Sequence, residues 1–411
     1  MLACVAFPAQ RSPAQAAPLP APADTPIPVV GEQLNEWTVG NGLLYWAERC
    51  FGGEFVAPGY LRRKPLNGGI QRTLATTDVG NCVTFLNMAA DESGVYYYSF
   101  DGYSSTAPRG IHHRPAGAPY DPPQVVTPIS SGQFPMSGSR LALGAAHVYW
   151  LTTDFETTPR LLRARKDGSG GIETVANVAN DATDLLVVGD LVYWLDSSGL
   201  WRTNVGDCAA LPCAKTKLEN STGSHLVYRR DGLIAGYQLY WVEQGSPQRI
   251  QRRSCRITID IGTGQVSEVC NTSTLYTAPT DHPWQIGRPS TDGNALFWQE
   301  YYFEIGVGSD ARLRRRGIGG VGLGPVEDIA VNLTSGASPT ELYNGYVYFQ
   351  QDGIKRLPWN AAPIVRDLTA VAMEVTQGIQ SLNNDVPLVA QKPTYVRAYG
   401  DQNSGPHANA V

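Results

Sequence analysis

The sequence predicts an all-β fold: a seven-bladed β-propeller of four-stranded blades, followed by a partial β-sandwich segment. Three observations predict it. A short pattern of one aliphatic and two aromatic residues recurs seven times: Leu44-Tyr45-Trp46, Val95-Tyr96-Tyr97, Val148-Tyr149-Trp150, Val192-Tyr193-Trp194, Leu239-Tyr240-Trp241, Leu296-Phe297-Trp298 and Val347-Tyr348-Phe349. Neighbouring copies stand 44 to 57 residues apart, the period of solenoids, propellers and arrays. No strong helical periodicity separates them, and four-stranded blades set radially are one solution to the sheet-edge problem.

Each element follows from local chemistry. The aromatic triplets have the composition of a strand buried on both faces. Turn signals precede them, as in Asn41-Gly42, Ser93-Gly94, Gly189-Asp190, Asp292-Gly293 and Asn344-Gly345. Gly, Asn and Asp tolerate the positive φ that tight hairpins need. An apolar stretch such as Leu185-Leu186-Val187-Val188 supplies the strand before the turn. After the triplet an Ile or Leu is followed closely by Arg, as in Leu61-Arg62-Arg63, Leu161-Leu162-Arg163 and Leu313-Arg314-Arg315. A Gly-containing turn and a last apolar run, such as Ile172 to Val175, complete the unit.

Where an acid follows the aromatic pair, the pattern resembles the YWTD-type propeller repeat of the low-density lipoprotein receptor family. The segments are Tyr45-Trp46-Ala47-Glu48, Tyr193-Trp194-Leu195-Asp196, Tyr240-Trp241-Val242-Glu243 and Phe297-Trp298-Gln299-Glu300. Leu162 to Gly168 resembles that family's Arg-to-Asp-Gly stretch. No copy reads Tyr-Trp-Thr-Asp, and that family uses six blades where seven copies stand here. The resemblance implies the fold and brings no function with it. The repeated Arg residues are expected to pair with the acids after the aromatic pairs.

Residues 34–370 thus read as the propeller. Residues 1–33 read as a signal peptide that lacks its beginning, with a Pro/Ala-rich linker from Pro18 to Pro28. A disordered Ala/Pro-rich leader is the competing reading. Residues 371–411 carry strand-like alternation at Met373 to Gln380, Val386 to Ala390 and Pro393 to Tyr399. They resemble the opening strands of bacterial Ig-like modules, and a whole sandwich needs about 100 residues. The chain is expected to be the front of a longer protein.

Cysteine usage points to an oxidising compartment. With Cys4 in the leader, six cysteines remain. Cys255 and Cys270 are equidistant from a turn at Gly262-Thr263, so antiparallel pairing would set them opposite one another. Cys208 and Cys213 close a short loop. Cys50 and Cys82 fall on two loops of one propeller face. Three disulfides and a secreted or cell-surface location are expected. The competing reading, metal ligation, lacks a His cluster beside the cysteines.

A net charge of −5 leaves no basic footprint for nucleic acid. No run of 18 apolar residues stands in the chain, so no transmembrane span is expected. The six His form no His-Glu-x-x-His pattern. No Gly-x-Ser-x-Gly motif or phosphate loop is present. No cofactor, metal or catalytic set is expected, and a monomeric propeller is. His112-His113 is a poor metal pair, because adjacent strand residues point to opposite faces. Asp281-His282-Pro283-Trp284 lies on the connection entering blade six, where an acid, a His and a Trp suit sugar binding or general-base work, although a turn capped by Asp281 with a packed Trp284 is the simpler reading.

Loop lengths give the sharpest functional signal. The loops after the second strands are read as long in blade one (Arg49 to Tyr60), blade two (Ser99 to Gly110) and blade six (Tyr301 to Asp310). Ring closure sets blades six, seven, one and two side by side. The loops are aromatic, and the expected ligand-binding residues are Phe55, Tyr60, Phe100, Tyr103, His282, Trp284, Tyr301 and Tyr302, with Phe51 and Phe303 nearby. The same aromatics would equally serve to fold the loops back on the blades. The sequence reads best as a secreted, non-enzymatic binding or scaffold module for a protein or carbohydrate ligand. The alternative is a top-face propeller enzyme such as a glycan hydrolase or lyase, which needs two carboxylates at fixed separation.

Overall fold

Strands with two buried faces need neighbours on both sides, and the aromatic triplets obtain them from adjacent blades. A computed structural model of the chain describes residues 34–48, 59–76, 83–101, 110–117, 124–129, 133, 135, 139–152, 158–179, 181–230, 236–260, 265–305, 308–319, 323–333, 339–351, 353–363, 368–376 and 395–402. Seven antiparallel sheets follow one another between Leu34 and Pro358, and no helix occurs among the described residues. The sheets are the seven blades of a β-propeller.

In each blade the first strand lies innermost and later strands follow outward in chain order. The first strands are Leu34–Gly40, Val83–Asp91, Ala142–Leu143, Asp184–Val188, Gly223–Arg230, the pair Gln285–Ile286 and Ser290–Thr291 in blade six, and Glu341–Tyr343. The aromatic triplets sit on the second strands, such as Leu43–Glu48 and Leu191–Asp196. Blade seven has three strands among the described residues, ending with Ile354–Pro358.

Period-two alternation sends the two aromatics of each triplet into different layers. Tyr45 packs with Val95 and Tyr97 of the next blade. Tyr96 packs with Val148 and Trp150, Tyr149 with Val192 and Trp194, and Tyr193 with Leu239 and Trp241. Tyr240 meets Leu296 and Trp298, and Phe297 meets Val347 and Phe349. Tyr348 of blade seven then packs on Leu44 and Trp46 of blade one, which closes the ring. Each triplet therefore fills two interblade cores, and each fully buried aromatic contributes roughly 1.5–3 kcal/mol of burial free energy.

The predicted Asn-Gly hairpins form. Asn41 and Gly42 have φ of 48° and 71°, and Asn344 and Gly345 have 46° and 86°. Positive φ at both central residues is the type I′ signature, whose twist matches paired strands. Two expected disulfides are present, Cys208–Cys213 and Cys255–Cys270. Cys255 and Cys270 are direct register partners on the strands Arg249–Ile259 and Val266–Thr277. The expected Cys50–Cys82 bridge lies outside the described residues.

One loop is not a loop. Tyr301 to Glu304 and Gly308 to Asp310 belong to the blade-six strands Ala295–Glu304 and Gly308–Gly317, with Tyr301 opposite Ala311, Tyr302 opposite Asp310 and Phe303 opposite Ser309. The Tyr-Tyr-Phe run is made of strong strand formers, so pairing runs on past the blade edge. The Arg–acid pairing appears in part. Arg62 meets Glu48 at 3.0 Å, Arg249 approaches Glu243 at 3.8 Å, and Arg312 and Arg314 share Glu300 at 3.2 and 3.0 Å. Asp196 instead accepts hydrogen bonds from Ser198 N and Trp201 Nε1, pinning a turn. Later in the chain, Leu368–Thr376 pairs antiparallel with Tyr395–Gln402 as a two-stranded sheet, and the stretch Val386 to Ala390 lies outside the described residues. No helix among the described residues is long and apolar enough to cross a membrane.

Candidate functional site

The connection entering blade six and its long hairpin meet on one face of the ring. Asp281 Oδ1 accepts hydrogen bonds from the backbone N of His282 at 3.0 Å and from Trp284 Nε1 at 2.9 Å. That arrangement fixes the connection as a turn. The His282 ring stacks on Tyr302, with centroids 4.1 Å apart, and its Nδ1 lies 3.2 Å from Glu304 Oε2. Trp284 stands edge-on to Tyr302 at 4.7 Å, with the Arg312 guanidinium 4.0 Å from the Trp284 ring centroid. Tyr301 donates its hydroxyl to Gln285 Oε1 at 2.5 Å.

Four of the sequence-predicted residues are thus brought together: His282, Trp284, Tyr301 and Tyr302. They do not play equal parts. Trp284 and Tyr302 are 4% and 8% exposed, so their faces are spent on packing. The exposed surface is at the hairpin tip, where Phe303 and Ile305 are 67% and 90% exposed. Beside the tip lies a cleft of about 450 Å³, lined in part by Gln248, Thr280, His282, Gln285 and Glu304. Tyr60 stands apart on blade one, half-buried, with the Arg62 guanidinium 4.3 Å from its ring centroid. Phe55 and Tyr103 lie outside the described residues, as does the Phe100 side chain within its strand Gly94–Asp101. His112 and His113 point to opposite faces, stacked on Tyr97 and Tyr96 respectively.

Sequence reasoning missed the channel on the ring axis. Glu36, Asn87, Arg140, Asp184, His225, Arg288 and Glu341 come from or adjoin the seven first strands. Several of these strands are distorted at that level. Register shifts fall at Leu34/Glu36, Leu86/Ala89 and Ser224/Val227, and Asn87 and His225 adopt positive φ. In blade six the first strand is interrupted at Gly287 to Pro289. Bulges re-aim side chains, and here they accompany polar groups turned toward the axis.

These groups tie the blades together. Asp184 of blade four accepts from Leu226 N of blade five and from Arg288 of blade six, both at 2.5 Å. Glu341 of blade seven accepts from Val39 N of blade one at 2.6 Å and pairs with Arg140, which also donates to the Trp37 carbonyl at 2.8 Å. Glu36 accepts from Met88 N of blade two at 2.8 Å, and Asn87 donates to the Ser139 carbonyl. Glu36 keeps partial exposure to the channel, yet burial raises its pKa to about 7 against the pull of Arg140. Burial, reinforced by Arg288, lowers the His225 pKa to about 4 and keeps that imidazole neutral. The carboxylates of Asp184 and Glu341 are committed to backbone N–H groups and guanidiniums, so they serve as clamps.

No protein-family model and no curated protein matches the sequence. Solved structures share the architecture. An ancestral GH74 enzyme superposes with a TM-score of 0.52 at 13% identity, over 81% of this chain and 48% of that one. A chain of a mitotic checkpoint complex gives 0.50 at 10% identity, over 85% of this chain and 99% of that one. An oligogalacturonate lyase in complex with manganese gives 0.47 at 12% identity, over 77% and 85%. The two matches at 0.50 or above come from an enzyme and a checkpoint complex, so the likeness extends to the fold alone: this chain is a seven-bladed β-propeller.

Proposed function

We propose that the chain is an exported, non-enzymatic binding module of a larger protein, and that it holds a protein or carbohydrate ligand at the blade-six rim. The observation that carries this reading is the blade-six hairpin, whose Phe303 and Ile305 stand exposed beside the His282–Glu304 cleft. Exposed apolar side chains on a rigid hairpin give contact area at little entropic cost. Next to them, Gln285, Thr280 and Glu304 supply polar groups that orient a ligand. The two disulfides support an oxidising compartment. On this reading residues 1–33 are leader and linker, the propeller runs over residues 34–370, and residues 371–411 begin an Ig-like module, with YWTD-like repeats building the blades.

The enzymatic alternative turns on acid chemistry. A glycoside hydrolase needs two carboxylates facing one substrate bond. Asp184 and Glu341 already satisfy backbone donors and guanidiniums. One observation favours an enzyme: Glu304 on Nδ1 of His282 is how a carboxylate orients a general base. Arrays of glycans and peptides probed with wild type and a Phe303→Ser, His282→Ala double variant test the proposal. Wild type is expected to bind a defined ligand class, and the double variant to lose at least about tenfold in affinity, the size of effect hot-spot residues carry. Equal binding by both folded proteins would move the site elsewhere. No ligand for wild type would make the module a structural spacer.

A further inference from the structure

The channel contains a second cavity, separate from the rim cleft. Its volume is about 560 Å³, and residues on or beside the first strands of all seven blades line it. That size falls within the range of small-molecule sites. The lining comes from the later part of those strands, so the well lies toward the face that carries the turns between first and second strands. That face is opposite the blade-six rim. The wall is aliphatic and partly exposed, including Val39, Leu143, Leu186, Val187, Val227 and Leu342.

Its two guanidiniums are balanced by one carboxylate in the wall and by Asp184 and Glu36 close by. Two guanidiniums, Arg140 and Arg288, reach the well beside one carboxylate, Glu341. Glu341 is held by Val39 N, Thr38 Oγ1 and Arg140, and Arg140 spends a second nitrogen on the Trp37 carbonyl. Arg288 gives one Nη to Asp184 at 2.5 Å. Asp184 is 1% exposed and stands outside the lining, whereas the Arg288 side chain is 17% exposed. Guanidinium pairs carboxylates in a planar fork and has five donors, so Arg288 can serve Asp184 behind it and a second carboxylate in front.

We propose that this well binds a small apolar carboxylic acid, with its carboxylate on Arg288 and its hydrocarbon body along the aliphatic wall. The proposal is independent of the rim site. Isothermal titration of the full chain with decanoate, decanol and decyltrimethylammonium, each below micelle-forming concentration, tests it. Decanoate should bind at one site per chain and at least tenfold more tightly than decanol, and decyltrimethylammonium should not bind. Val187→Trp and Leu342→Trp each narrow the well from a different blade. Either one, if its thermal midpoint stays near that of wild type, should weaken decanoate at least tenfold. The proposal is overturned by absence of decanoate binding to wild type. It is also overturned by equal or tighter binding of the ammonium amphiphile, or by unchanged decanoate affinity in a folded narrowed variant.

Discussion

Glu36 shows how one side chain couples the ring to pH. Its folded-state pKa of about 7 stands above the ordinary carboxylate value of 4.5, because burial outweighs the attraction of Arg140 and two backbone donors. A group whose folded pKa is raised binds more protons in the folded state. Stability from Glu36 is therefore full below about pH 4.5 and is lost as pH rises toward about 7. Glu36→Gln keeps an acceptor for Met88 N and removes the ionisation. Urea midpoints at pH 5 and pH 8 should fall less in the variant than in wild type; equal falls in both proteins would place the Glu36 carboxylate in water. The channel groups were legible in the sequence in one way. Glu36, Asn87, Arg140, Asp184 and Arg288 each stand nine residues before the first aromatic of their triplet. His225 and Glu341 break that spacing because the first hairpins of blades five and seven differ in length. A polar residue at a fixed distance from a core motif is the signal that reveals an axial ring.

At the scale of single elements, the aromatic triplet was the most readable feature, because strand alternation and full burial leave it little freedom. Replacing Trp194, which is fully buried between blades three and four, by Ala should cost about 3–5 kcal/mol. The blade-six hairpin was less readable. The glycines and the Ser309-Asp310 pair after Glu304 signal a turn in the sequence, but whether Tyr301 to Phe303 form loop or strand depends on pairing that only the fold supplies. Buried Trp284 and Tyr302 likewise looked like a binding pair, because aromatic composition does not say which face a ring turns to its neighbours. The Cys255–Cys270 bridge joins residues 15 apart in sequence, and chain-entropy arguments give such a closure about 3 kcal/mol. Cys255→Ser with Cys270→Ser should lower the unfolding free energy by roughly that amount. Peptide mapping without reductant should recover the 255–270 and 208–213 pairs, and free thiols there would remove the support for export.

For the whole molecule, the question is what holds a ring whose first and last blades share no strand among the described residues. Blade one is continuous from Leu34–Gly40 outward, and blade seven ends with Ile354–Pro358. The seam rests on Tyr348 against Leu44 and Trp46, on Arg356 donating to the Leu66 carbonyl at 2.8 Å, and on Glu341 reaching Val39 N and Arg140. Glu341→Ala leaves Arg140 its bond to the Trp37 carbonyl but removes its partner carboxylate and the acceptor of Val39 N, a part-buried loss of about 1–3 kcal/mol. Its urea midpoint should fall accordingly, and an unchanged midpoint would show that the seam needs only its apolar contacts. The proposed role of a ring so fastened is to hold a ligand at the blade-six rim without converting it. The direct measurement takes the ligand class selected on the arrays, incubates it with wild type and with the Phe303→Ser, His282→Ala variant, and follows both affinity and ligand mass. Wild type should form a saturable complex, the variant should lose at least about tenfold in affinity, and the ligand should be recovered with its mass unchanged. Ligand cleaved by wild type and spared by the variant would contradict it and make His282 part of an active site.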